Sequence, residues 1–273
     1  MAAPVVVSFL SDYGLVDDFV GVCHGVIARI APEARVIDVT HGIGRHDVRS
    51  GALSLRRALP YLPAGVHLAV VDPEVGTERR ALALRCVEED RVLVGPDNGL
   101  LSLAAQRFGG VAEAVDISRS RHRLEPTAAT FHGRDIFAPV AAALAAGANL
   151  ADAGDPLDVD EVLPLHMPLA SVEVDAASGE DVLVAHAIGF DSFGNVTLDV
   201  EHEELTGAGL RLGRPVLVED RPCHYATTFA DVPPGGLLLY EDAYRTLSLA
   251  VNRGSARQQL ELDLDDPLRI RSR

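Results

Sequence analysis

Three polar clusters hold the side chains able to do chemistry. Asp12 lies in Ser11-Asp12-Tyr13-Gly14, with Asp17 and Asp18 close behind. Asp72 lies in Val70-Val71-Asp72-Pro73-Glu74-Val75-Gly76, followed by Glu78-Arg79-Arg80. His132 lies in Thr130-Phe131-His132-Gly133-Arg134-Asp135. Carboxylates and an imidazole in one place suit general acid–base work. Grouped aspartates also suit a hard divalent cation. Each cluster has a plainer reading. Asp17 or Asp18 can cap a helix, Asp72-Pro73 can start a turn, and a lone histidine at a helix start is more often structural. Convergence favours chemistry, because all three clusters map to one edge of the expected sheet.

That edge follows from the elements. Val5–Leu10, Ala34–Thr40, Gly65–Val71 and Ala112–Ile117 read as strands, with shorter runs at Ala81–Val87 and Arg91–Val94. Helices are expected up to about Ile30, over Val48–Leu59, through Phe108 after Gly95-Pro96-Asp97-Asn98-Gly99, and over Arg134–Ala146. Strands alternating with helices predict an α/β N-terminal domain with a mainly parallel sheet. In such sheets ligands sit beyond the carboxyl ends of the strands. The later chain differs. Val182–Phe190, Asn195–Val200, Leu210–Val218, Gly236–Tyr240 and Thr246–Val251 are strand-like and punctuated by proline and glycine, which predicts a smaller C-terminal all-β barrel or sandwich. The domains are placed at residues 1–168 and 169–273, with the seam in Ala148–Leu169.

Composition removes several functions. All 24 basic residues are arginine, so Schiff-base, pyridoxal-phosphate and P-loop chemistry is excluded. The formal charge of −16 argues against wrapping nucleic acid. Residues 1–150 carry 17 acids against 15 arginines, while residues 151–273 carry 23 against 9, a shift that supports two domains. No apolar run is long enough for a membrane span, and the start lacks a basic n-region, so a cytoplasmic protein is expected. Cys23, Cys86 and Cys223 read as reduced thiols, and no Cys/His pattern has zinc spacing, so neither metal nor cofactor is expected. Of the histidines, His24, His67, His166 and His186 read as core or surface residues, whereas His41 and His46 flank a loop on the ligand side.

Taken in order, the three clusters, Gly95-Pro96-Asp97-Asn98-Gly99-Leu100, Phe193-Gly194-Asn195 and Ala250-Val251-Asn252-Arg253-Gly254 resemble the S-adenosyl-L-methionine (SAM) hydroxide adenosyltransferases, hydrolase relatives of fluorinase and chlorinase. The resemblance implies an α/β domain, a β-barrel, and a homotrimer with active sites between subunits. It implies a catalytic Asp72, Arg79 and His132, with Arg80 as the neighbouring alternative to Arg79. It places Asp12 on the ribose hydroxyls and Asp17 on the methionine ammonium. Phe193, Asn195 and Phe229 would contact adenine, with the backbone near Arg253 reading its edge. Two features depart from the relatives. Asp242-Ala243-Tyr244-Arg245 replaces an Asn-Ser-x-Gly-like stretch, and His46 replaces a fluorinase aromatic. Only Glu88–Asp90 stands where fluorinase has a long insertion, which favours water over halide.

The implied reaction is attack of water or hydroxide on ribose C5′ of S-adenosyl-L-methionine, giving adenosine and L-methionine. Arg79 would keep Asp72 ionised. Either a neutral His132 takes the proton or Arg79 favours bound hydroxide electrostatically. Two other readings stand beside this one: a metal-dependent phosphohydrolase using the aspartates, and a SAM- or adenosine-binding protein without turnover.

Overall fold

The computed structural model describes residues 5–176, 179–201 and 209–273. The chain divides into two compact units, Met1–His166 and Met167–Arg273.

The first unit is built on a seven-stranded sheet. Its strands are β1 (Val6–Ser11), β2 (Arg35–Thr40), β3 (Gly65–Val70), β4 (Ala81–Cys86), β5 (Val92–Pro96), β6 (Val111–Asp116) and β7 (Asp155–Leu157), in the order β2-β1-β3-β5-β4-β6-β7. β2, β1, β3 and β5 are mutually parallel, whereas β4 runs against both its neighbours and β7 against β6. β1 is buried at every position, as a central strand covered on both faces must be. Val7 and Phe9 on one face join a core with helix α1 (Phe19–Ile30) and helix α4 (Ala138–Ala145). α1 contributes Val20, Cys23, Val26 and Ile27 to that core, a helical stripe. Helices α2 (Val48–Ala58) and α3 (Ser102–Arg107) form a second packed pair. Asp47 caps α2 by accepting the Ser50 N–H at 3.0 Å. Asp18 takes the N-cap position of α1, but its side chain makes no capping hydrogen bond.

The helix expected over Arg134–Ala146 begins differently. Residues Gly133–Phe137 form a π-helical turn, closed by the Ala138 N–H on the Gly133 carbonyl. Pro139 has no N–H to give to the Asp135 carbonyl, which accepts the Leu124 N–H at 2.7 Å instead. The proline removes one α-helical bond, and the loop before it takes the freed acceptor.

The second unit is a closed barrel. Its strands are β8 (Ser171–Val174), β9 (Asp181–Phe190), β10 (Val196–Glu201), β11 (Pro215–Val218), β12 (Arg221–Tyr225), β13 (Leu237–Glu241), β14 (Thr246–Val251) and β15 (Pro267–Ser272), with a short helix α5 (Ala256–Leu260). The order β10-β14-β13-β12-β11-β15-β9 returns to β10 through the β9–β10 hairpin, and β8 adds beside β9. Leu183, Ala185 and Ala187 point inward with Val196, Leu198, Leu239, Leu249 and Ile270. Closure leaves the seven barrel strands without an exposed edge. Four strands, β7, β8, β12 and β15, escape the sequence pattern. β7 is three residues long and carries a proline, and β8 is exposed at all four positions. β12 and β15 each have only two buried positions, Cys223 and Tyr225 and Leu268 and Ile270, beside a proline.

Candidate active site

The parallel strands deliver their last residues to one edge. Asp12 follows β1, His41 follows β2, Asp72 follows β3 and Asp97 follows β5. The loop after β3 reaches the loop before the π-helical turn because residue 76 is glycine. Gly76 has φ +84°, and a Cβ there would lie 2.6 Å from the Ala129 carbonyl oxygen.

That approach assembles Asp72, Arg79 and His132. Arg79 donates from Nε to Asp72 Oδ1 at 3.1 Å and from Nη2 to Asp72 Oδ2 at 2.6 Å. Its Nη2 also lies 3.1 Å from His132 Nδ1, and its Nη1 donates to the Arg80 carbonyl at 2.9 Å. The Arg79 and Asp72 side chains are 3% and 6% exposed, so the ion pair is nearly dry. A guanidinium has only donors and keeps its proton. His132 Nδ1 is therefore the acceptor of this contact, the ring is neutral, and its proton sits on Nε2. Burial first, and the charge of Arg79 second, push His132 below the usual histidine range. Burial pushes the Asp72 carboxyl up, against the pull of Arg79. The result is a carboxylate more basic than an exposed one, bridged by arginine to a neutral histidine. Arg79 and His132 line a cavity of about 630 Å³ with Arg80, Arg119, Arg123 and Asp116.

The adjacent arginines have different partners, and Arg79 is the one that meets Asp72. Arg80 turns away, with Nε on Asp97 Oδ2 at 2.8 Å and Nη1 on Glu161 Oε2 at 2.9 Å. The glycine-rich stretch after β5 is tied to the Asp72 loop through Asn98 Nδ2, which donates to the Val71 carbonyl at 2.9 Å.

Tyr13, which sequence reasoning treated only as part of a turn, lies beside Phe131 and Gly133. Its ring packs against Phe9, Phe19 and Phe131 at 5.8–6.4 Å. Burial raises its hydroxyl pKa well above the ordinary value, with Cys23, Asp12 and Asp72 adding to the rise. A Cβ on Gly133 would lie 2.0 Å from the Tyr13 Oη, so glycine beside His132 makes room for this phenol.

The remaining predicted residues fall into two groups. Asp12 is half-buried, and its Oδ2 accepts the His46 backbone N–H at 2.9 Å. Asp17 is exposed on the same loop. In the barrel unit, Asp191 accepts the Phe193 N–H at 2.9 Å and the Asn195 side-chain amide at 2.7 Å, which fixes that turn. Phe193 is 79% exposed. Phe229 and Arg253 line a second cavity of about 620 Å³. The Phe193–Asn195 turn adjoins the segment after Arg253 through the Arg257 N–H on the Gly194 carbonyl at 3.0 Å. Asp242–Arg245 forms a hairpin turn held by Asp242, which accepts the Tyr244 and Thr246 N–H groups at 2.8 and 3.0 Å.

Asp12, Asp17 or Asp18, and Asp72 do not form a cation site. Both Asp72 oxygens accept from Arg79, and among the described residues the metal-capable group is His24, Asp38 and His41. Burial pushes the Cys23 and Cys223 thiols up to about 12 and Cys86 to about 11, so no thiolate nucleophile is present among them.

Fold and site define a class: an α/β unit with an arginine-bridged carboxylate–histidine set at its strand ends, followed by a closed β-barrel. Residues 7–154 match the model of the SAM hydroxide adenosyltransferase N-terminal domain, and residues 185–269 match that of the C-terminal domain. The chain belongs to the SAM hydroxide adenosyltransferase family. It is 49% identical over 271 residues to the (R)-S-adenosyl-L-methionine hydrolase of Salinispora arenicola, covering 99% of each chain. It is 28% identical over 278 residues to a fluorinase of an Actinoplanes species, covering 90% of this chain and 91% of the other. A crystal structure of an uncharacterized conserved protein from Thermotoga maritima superposes with a TM-score of 0.88 at 35% identity, covering 97% of this chain and 99% of that one.

Proposed function

We propose that this chain is an enzyme that hydrolyses S-adenosyl-L-methionine to adenosine and L-methionine. The relatives' names specify the (R) form, and we extend that form to this substrate. Water attacks ribose C5′, the C5′–S bond breaks, the sulfonium leaves as a neutral thioether, and one proton is released. No acid is needed for the leaving group. The observation that carries the reading is the Arg79 bridge between Asp72 and His132.

The geometry suits a division of labour. With Nδ1 turned to Arg79, His132 presents Nε2–H, which holds a water oxygen by donation. Asp72, which also accepts the Glu74 backbone N–H, takes the water's proton on a remaining lone pair, helped by the basicity that burial confers. Arg79 holds both partners and compensates charge as hydroxide character develops. Asp12 takes the ribose hydroxyls and Asp17 the methionine ammonium. Phe193, Asn195, Phe229 and the backbone near Arg253 hold adenine. Residues 1–168 thus carry the catalytic residues and 169–273 complete the adenosine site.

The protein works in the cytoplasm as a homotrimer with active sites between subunits. Among the described residues no helix is long and apolar enough to cross a membrane. Leu15 and Val16, beside the proposed substrate loop, are 78% and 97% exposed, as suits residues that a neighbouring subunit covers. Light scattering behind size exclusion is expected to give three chain masses.

Incubation with S-adenosyl-L-methionine, with and without chloride or fluoride, is expected to yield adenosine as the nucleoside in every arm. Asp72→Ala and His132→Ala are each expected to lower turnover about 10²–10⁴-fold with little change in KM. Unchanged adenosine release in either variant overturns its assignment. Binding without adenosine in the unmodified protein overturns the hydrolase reading.

A further inference from the structure

We propose that His24, Asp38 and His41 bind a divalent transition-metal ion. The three come from α1, β2 and the residue that follows β2, and each offers one ligand atom within 4.8 Å of the others. His24 Nε2 lies 2.9 Å from Asp38 Oδ1, and His41 Nε2 lies 3.1 Å from the same oxygen. Two atoms each about 2.1 Å from one ion stand about 3.0 to 3.4 Å apart at octahedral to tetrahedral angles. Both contacts of Asp38 match that spacing to within a few tenths of an ångström, and the two histidine donors lie within 4.8 Å of each other.

His41 supplies the second, independent observation. Its side chain is 2% exposed, and its Nε2 is buried without any hydrogen-bond partner. The 3.1 Å contact with Asp38 has the distance of a hydrogen bond but not its direction. Leaving a buried ring nitrogen unpartnered is costly, and a metal ion removes the cost. The opposite nitrogen is already held, since His41 Nδ1 lies 2.7 Å from Ser11 Oγ. Donation from Nδ1–H to Ser11 leaves the Nε2 lone pair facing His24 and Asp38. This is the arrangement metal-bound histidines adopt, with the far nitrogen donating to a second partner. Phe9 packs its ring edge to face at 4.6 Å from the His41 ring and closes the inner side.

The donor set fixes the class of ion. Two imidazoles and one carboxylate suit zinc, cobalt, nickel or iron(II) rather than magnesium or calcium. His24 and Asp38 are partly exposed, which gives the ion an entry path and leaves positions for water. On binding, the ion takes the place of the hydrogen that His24 Nε2 shares with Asp38, and that hydrogen moves through solvent to Nδ1, so the ring stays neutral. The site stands beside the proposed substrate loop. The Gly14 N–H donates to the His41 carbonyl at 2.8 Å, and Ser11 precedes Asp12. Occupancy therefore clamps α1, β2 and the end of β1 together without touching the Asp72–Arg79–His132 set. The inference does not depend on the hydrolase reading.

Cobalt(II) is the probe, added to the full-length protein after dialysis against a chelator. One ion per chain is expected, with visible d–d absorption that zinc(II) displaces. His24→Ala and Asp38→Asn are each expected to weaken zinc binding by more than about tenfold and to abolish the zinc-induced rise in Tm. His122→Ala is the control and retains both. Absence of cobalt absorption, or equal zinc affinity in His24→Ala, Asp38→Asn and the unmodified protein, overturns the site. In that case the three side chains are a hydrogen-bonded network only.

Discussion

At Arg79 four of the five guanidinium N–H donors have partners. Nε and Nη2 grip Asp72, Nη2 also reaches His132, and Nη1 holds the Arg80 carbonyl. A lysine has neither the fork nor the fixed plane to do this. Arg79→Lys is expected to cost turnover at least as much as His132→Ala, measured as adenosine release under saturating substrate. Protonation behaviour follows from the same contacts. His132 titrates below its ordinary value, through burial and the charge of Arg79, and Asp72 titrates above its own, through burial. The lowered His132 value keeps the ring neutral to pH values below about 6.5. The loss of activity that accompanies protonation of His132 is therefore expected beneath that pH, in a step that belongs to the coupled pair. A His132 ring titration, followed by NMR, with its midpoint at or above about pH 6.5 contradicts the bridged arrangement. Asp72, Arg79 and His132 were readable as candidates because their motifs stand at expected strand and helix boundaries. The choice of Arg79 over Arg80 was not, since adjacent arginines differ only in where the backbone aims them.

At the level of elements, two glycines bring the loops together. Gly76 lets the loop after β3 touch Ala129, and Gly133 leaves space for the Tyr13 hydroxyl beside His132. Gly133→Ala is expected to displace Tyr13 and reduce turnover, because the new Cβ would meet Oη at 2.0 Å. Adding Tyr13→Phe removes that oxygen and is expected to restore part of the loss. A double variant no better than Gly133→Ala alone rules out this account. The long strands and helices were legible from their periodicity. The π-helical turn was not, although its cause, Pro139, stands in the sequence. Its consequence depends on Leu124 being close enough to take the Asp135 carbonyl. The His24–Asp38–His41 group escaped for a related reason. Zinc spacings describe ligands within one motif, whereas these come from a helix, a strand and the residue after it.

For the molecule as a whole, one buried histidine links pH to stability. His67 on β3 is fully buried, with Nδ1 2.8 Å from Ser8 Oγ and Nε2 3.1 Å from Arg91 Nη1. Burial first, then the charge of Arg91, push its pKa down to about 3. The unfolded chain binds this proton near pH 6.5 and the folded chain does not. The contribution is thus intact above about pH 6.5 and is lost as pH falls toward 3, at about 1.4 kcal/mol per unit. His67→Gln is expected to be less stable than the unmodified protein at pH 7. That gap is expected to narrow by about 2 kcal/mol at pH 5 in urea denaturation. A gap that does not change with pH refutes it.

Composition and pattern alone were enough for an α/β unit followed by an all-β one, for the exclusion of lysine chemistry and for the ordered motifs, whose resemblance to the family implied the barrel. These are local or summed properties, and a chain displays them before it folds. Tertiary structure decided what depends on direction. It settled which arginine meets Asp72, which nitrogen of His132 carries the proton, and that the aspartates do not gather around a cation. It also placed Tyr13 beside Phe131 and Gly133 and drew His24, Asp38 and His41 into one cluster. Hydrogen bonds and coordination act over about 3 Å with strict angles, and only the folded backbone sets positions to that tolerance.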